Sequence, residues 1–228
     1  MATDSTPLVR RISSPHPAAW AGVAFAVLFL VGYFMVESAP TASATDAELL
    51  EYYTSSDRTA VVVAALYVVP FSGIAFIWFL AALRQRVQSV APQEEMVFAT
   101  VQLVSGVLFL AMMFVAAAAR VAPVLAIEVG NEQVPDIERE LLRFSQATLM
   151  VFALRSAGVF MITTATRVAR VGVVPRWFRL VSLAAALVLM LSASYLEGLV
   201  LIFPVWVGVI SLFVLFRDLR AQLAAVEA

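Results

Sequence analysis

The chain contains no cysteine, no lysine and a single histidine, His16. Without cysteine it cannot form a disulfide, a thiol nucleophile, an iron–sulfur cluster or a thiolate zinc site, and the sequence carries no mark of its redox compartment. Without lysine it has no Schiff-base chemistry, and all 15 basic residues are arginines, each a permanent cation. A lone histidine ahead of the first apolar run cannot build a haem site or a histidine-based metal centre inside a bundle. The net charge of -1, with no basic patch and interleaved aromatics, excludes nucleic acid as a partner. Gly-rich phosphate motifs, Ser–His and Cys–His pairs and mid-span carboxylates are missing too. Acyl transfer, metal-assisted hydrolysis and proton relay therefore lack their usual parts, and the expectation is a non-enzyme with no cofactor and no metal.

What is abundant is apolar: 62% of the 228 residues are hydrophobic, 14% are charged, and the mean hydropathy is +0.93. That composition belongs to a membrane protein. About 20 apolar residues are needed to cross about 30 Å of hydrocarbon, and runs of that kind recur at 18–36, 59–83, 96–119, 147–166, 177–195 and 198–216. They nearly exhaust the length, so the expected fold is all-α, one membrane helix bundle over 1–228 with six spans. The segment carrying Arg10 and Arg11 has the charge of a signal peptide. Its apolar run is long for one and five more follow, so it reads as a retained first helix.

Charge sets the expected orientation. Arg10, Arg11, Arg84, Arg86, Arg167, Arg170, Arg176, Arg179, Arg217 and Arg220 sort to one side, against Arg58, Arg120, Arg139 and Arg143 on the other. The positive-inside rule then places both termini in the cytoplasm of a multi-pass plasma-membrane protein. The two longer outer loops are acidic, and each carries the signature of a short amphipathic helix on the outer surface. In TDAELLEYY, Thr45 and Glu48 have capping-box spacing, with Leu49, Leu50 and Tyr53 on one face. In VPDIERELLRF, Pro135 opens the helix, Asp136 and Glu138 complement its positive end, and Ile137, Leu141 and Phe144 form an apolar stripe. The acidic residues show no EF-hand spacing and read as solvated loops rather than a cation site.

The most expensive residue is Arg155, in VFALRSAGVF. Counted from Arg167 at about 1.5 Å per residue it lies roughly 18 Å deep, where an arginine costs on the order of 3 kcal/mol unless protein or water receives it. Ser145, Thr148, Ser156, Thr163 and Thr166 share its sector of the helix, with Phe152 and Val159. Pro70 and Pro204 lie near the same depth. Each should kink its helix and free a carbonyl, of Leu66 and Val200, for a guanidinium. Tyr67, Tyr195 and Glu197 complete the candidate ring, with Glu197 as counter-charge. Gln102 and Ser105, and Arg120 with Glu128, are weaker candidates for the same route, better suited to interhelical hydrogen bonds and an interfacial anchor.

The stretch DAELLEYYTSSDRTAVVVAALYVVPFSGIAFIWFLAALRQR resembles small six-helix integral membrane proteins of high-GC bacteria. There an acidic, Tyr-containing outer segment precedes an arginine at the start of the second span and an aromatic-rich exit. The resemblance implies the six-helix fold and no reaction. The function expected from the residues is binding of an amphipathic small molecule or lipid in an outward-facing pocket lined by Arg155, Tyr67, Thr148, Tyr195 and Glu197. Membrane lipids are then the natural partners. The alternative is a membrane scaffold or accessory subunit acting through a protein partner or a second copy of the chain.

Overall fold

The computed structural model describes residues 16–37, 39–90, 96–130, 135–192 and 198–226. Among them every regular element is a helix, seven in all: α1 (His16–Glu37), α2 (Asp46–Thr54), α3 (Arg58–Val90), α4 (Met96–Glu128), α5 (135–170), α6 (Arg176–Leu191) and α7 (Leu199–Val226). Five of these, α1, α3, α4, α5 and α7, are long and apolar enough to cross a membrane. The sixth expected crossing appears as α6, whose 16 residues reach about 24 Å at 1.5 Å each. The last residues expected in that span, 193–195, lie outside the described residues.

α3 and α5 are each interrupted by a π-helical turn, Ala64–Val68 and Thr148–Ala153. The closing amides reach five residues back, Val69 to Ala64 and Leu154 to Leu149. Pro70 follows the first turn after one residue, Val69. It has no N–H for the Leu66 carbonyl and its ring crowds that oxygen, so a widened turn takes up the mismatch. Pro204 sits inside α7, which continues as a helix on both sides of it.

The interior is aromatic. Phe25 of α1, Phe76 and Phe79 of α3, Phe109 of α4, Phe160 of α5 and Phe203 of α7 are all essentially inaccessible. The ring centroids of Phe109 and Phe203 lie 4.5 Å apart and those of Phe25 and Phe76 4.9 Å apart. Lipid is as apolar as leucine, so such a centre is held by close packing and not by exclusion from water. Close approach needs small residues: a Cβ on Gly22 would lie 1.9 Å from the Ser211 hydroxyl of α7. α6 stands to one side, seated on α5 where a Cβ on Gly158 would lie 2.6 Å from Met190 Cγ, and tied to α7 by the Trp206 indole N–H, which donates to Ser182 Oγ at 2.8 Å. Around this centre runs a broad apolar surface that includes Trp20, Phe71, Ile77, Trp78, Leu180 and Leu191. An exposed belt of that extent suits hydrocarbon and not water.

One end of the bundle is capped. The Thr45 capping box forms as the spacing predicts, with Thr45 N–H donating to Glu48 Oε2 at 2.7 Å and Glu48 N–H donating to Thr45 Oγ at 3.3 Å. The Thr45 N–H bond first, and then the Thr45 hydroxyl donating to Glu48 Oε2 at 2.9 Å, hold the Glu48 carboxyl below its usual range. Leu49 and Tyr53 are buried against Val124 and Leu142. Leu50 is 53% exposed, off the face expected for it, because one residue is a 100° rotation on a helix. Burial pushes the Tyr53 phenol up to about 12. Arg58 Nη1 donates to Tyr53 O at 2.8 Å and closes the C-terminus of α2.

The second expected surface helix is not a separate element. Residues 135–147 run without a break through the π turn into the fourth span. Its face is also reversed: Ile137 and Phe144 are exposed, whereas Glu138, Leu142 and Ser145 are buried. The exposed side also carries Asp136, Glu140 and Arg143, so charged and apolar side chains face outward together. Arg139 binds this helix to the first by donating to Ala44 O at 3.2 Å and to Asp46.

Candidate functional site

The structure gives Arg155 a local partner. It is half-buried and Nη1 donates to Val151 O at 2.9 Å, within its own helix and two residues past the π turn. The hydroxyls of its sector do likewise: Ser156 bonds Phe152 O, Thr163 bonds Val159 O and Thr166 bonds Ile162 O. These three hydroxyls ask nothing of neighbouring helices, whereas Ser145 of the same sector reaches across to α4. Thr148 is buried at the first position of the π turn, and Tyr67 is 59% exposed on the outside of α3. Tyr195 and Glu197 lie outside the described residues.

The buried arginine is Arg167, expected at the membrane boundary and found with no accessible surface. Its Nη1 donates to Gln102 Oε1, and Gln102 Nε2 donates to Thr164 Oγ1 at 2.6 Å. Gln102 and Thr164 are themselves buried, so α4 and α5 share a closed polar knot near the C-terminus of α5. A cation there also meets the negative end of the helix dipole. Among the described residues no group of His, Asp or Glu side chains converges to hold a metal ion.

A hollow lies under the cap. Two adjoining cavities of about 120 and 160 Å³ share Tyr33, Val36, Arg120, Ser145, Leu149 and Val200. The deeper one is walled by Leu28, Phe29, Val69 and Met113 and reaches Ser72. The other passes Glu37, Thr41 and Gln146 towards the loop over 39–42. The hollow exists because Gly32, Ala116 and Ala117 supply little volume at one level. Both π turns flank it, since Leu149 belongs to one and Val69 follows the other. Pro204 offers no N–H to the carbonyl of Val200, which lines both cavities.

Tyr33, Arg120 and Ser145 line both cavities, Glu37, Thr41 and Gln146 line the outer one, and Ser72 lines the deeper slot. Arg120 is half-buried at the mouth and donates to Ala39 O at 3.5 Å and Pro40 O at 3.4 Å, both longer than a good N–H···O bond of about 2.9 Å. Ser145 Oγ donates to Ala116 O at 2.7 Å. Ser72 differs: it is 1% exposed and its hydroxyl has no hydrogen-bond partner. The other buried helical serines, such as Ser105, Ser156, Ser182 and Ser211, return a bond to their own helix. A cation at the mouth, an apolar slot and an unsatisfied hydroxyl at the far end form an arrangement that the sequence signalled only through Arg120. Neither Arg155 nor Tyr67 lines these two cavities. No protein-family model, curated protein or solved structure matches this chain.

Proposed function

We propose that this chain is a non-catalytic, multi-pass membrane protein that holds an amphipathic small molecule or lipid in the hollow beneath its helical cap. The anionic or hydrogen-bond-accepting head sits at Arg120 and the apolar body lies along Leu28, Phe29, Val69 and Met113. The observation that carries this reading is the conjunction of a permanent cation with an otherwise apolar slot, the usual make-up of a site for one molecule with two unlike ends.

In the same reading α6 is a sixth, short crossing accommodated by a locally thinned bilayer. Both chain ends are then cytoplasmic and the cap faces outward from the plasma membrane. In support, Arg84, Arg86, Arg170, Arg176, Arg179 and Arg217 belong to helix ends opposite the cap. The chain has no native cysteine, so single cysteines at Asp57 and Leu219 report topology without background. An impermeant maleimide should label the first and spare the second in intact cells, and equal labelling refutes the orientation.

The binding reading is tested by Arg120→Gln, which keeps a long donor for the carbonyls of Ala39 and Pro40 but removes the charge. A hydrogen bond to a charged group is worth about 1.5–3 kcal/mol, so affinity for an anionic amphiphile should fall about 10- to 100-fold. Native mass spectrometry of protein extracted directly from membranes should show a retained anionic species on the parent and little on the variant. Equal retention by two folded proteins sinks the proposal and leaves a scaffold role.

A further inference from the structure

Resting on the binding site just proposed, the Ser72 hydroxyl narrows the ligand. A buried hydroxyl left without a partner costs about 1–3 kcal/mol, and a helical serine ordinarily avoids that by bonding the carbonyl four residues back. For Ser72 that residue is Val68, the last of the π turn, and the bond is not made. Its neighbours around the slot, Leu28, Phe29, Val69 and Met113, offer hydrocarbon or thioether surface. The donor is therefore held in the wall of a cavity with nothing of the protein to receive it.

Ser72 and Arg120 lie at opposite ends of the slot. α1 and α4 run towards the cap and α3 runs away from it, so Leu28, Met113 and Ser72 are deep, whereas Val36 and Arg120 are shallow. From Leu28 to Val36 the wall covers about 12 Å of helix axis. We propose that the ligand is doubly polar: a medium-length apolar chain with an anionic head at Arg120 and a hydroxyl or carbonyl at its far end, where it bonds Ser72 Oγ. A plain saturated chain leaves the serine unsatisfied, and a ligand that is polar throughout desolvates against the apolar walls without compensation.

The test compares decanoate with ω-hydroxydecanoate by equilibrium dialysis against the purified protein in nanodiscs, with empty nanodiscs as the blank. One neutral hydrogen bond predicts about three- to tenfold tighter binding of the hydroxy acid. The Ser72→Ala protein should bind both acids equally, and decanoate as well as the parent does. Ser72→Ala should also melt no lower than the parent in the absence of ligand, because it deletes an unsatisfied group. Arg120→Gln should weaken both acids alike. If both acids bind equally to the parent and both depend on Arg120, the doubly polar ligand is refuted while the site beneath the cap stands. If neither acid binds above the blank, or Arg120→Gln changes nothing, the site itself is refuted and this inference with it. An advantage for the hydroxy acid that survives Ser72→Ala also overturns the inference, since an ordered water or another group then receives the hydroxyl.

Discussion

Phe203→Ala should lower stability by about 3 kcal/mol and broaden the unfolding transition in detergent. The Phe203 ring lies within 6.3 Å, centroid to centroid, of Phe25, Phe76, Phe109, Phe160 and Trp206, so every other helix of the central bundle meets this side chain. In water, truncating a buried Phe costs about 3–5 kcal/mol, made of lost transfer energy and an unfilled cavity. Within a bilayer the transfer part largely cancels, because lipid receives the ring as readily as the core does. The cavity and the lost ring contacts remain, which sets the estimate at the lower end of that range. Phe152→Ala is the control: the ring is 58% exposed on α5, and its removal should change stability by less than about 0.5 kcal/mol. Equal effects at the two positions would show that the aromatic centre is not what holds the five helices together.

The parts of this fold that could be read from the sequence are those that depend on local spacing or bulk polarity. Thr45 and Glu48 are three residues apart and need nothing else to form their box. The five long spans follow from apolar length alone. What escaped depends on which helix stands beside which. Residues 135–147 carry Asp136, Glu138, Arg139, Glu140 and Arg143, which reads as a surface helix. The segment is instead the first part of α5 and exposes Ile137 and Phe144 beside its charges, because the face it buries is chosen by the helices it packs against. The cavity is an absence of volume at Gly32, Ala116 and Ala117, on helices whose relative register no spacing encodes. Ser72 gave no signal at all, being one serine among several in apolar helices.

The two membrane arginines make the strongest contrast. Depth counted from Arg167 assumed that this residue marks the boundary, whereas α5 continues to Arg170 and Arg167 is buried against α4. Gln102→Leu should therefore be among the most damaging polar substitutions in the chain. It removes an acceptor of a charged donor in a site with no accessible surface, where losing a charged hydrogen bond costs about 1.5–3 kcal/mol. A loss of about 2 kcal/mol is expected, read as a lowered unfolding midpoint in a fixed detergent. Thr164→Val removes only the neutral bond from Gln102 Nε2 and should cost about 1 kcal/mol. A double-mutant cycle of Gln102→Leu with Arg167→Met isolates the pair, and a coupling of about 2 kcal/mol is expected, the worth of a hydrogen bond to a charged group. Arg155→Leu should be nearly silent. Its guanidinium bonds a carbonyl of its own helix from a half-buried position, and leucine is the cheaper side chain in hydrocarbon. Additive losses in the cycle, or an Arg155→Leu protein as unstable as Gln102→Leu, would mean that the deeper cation by residue count, and not the one tied to Gln102, anchors α4 to α5.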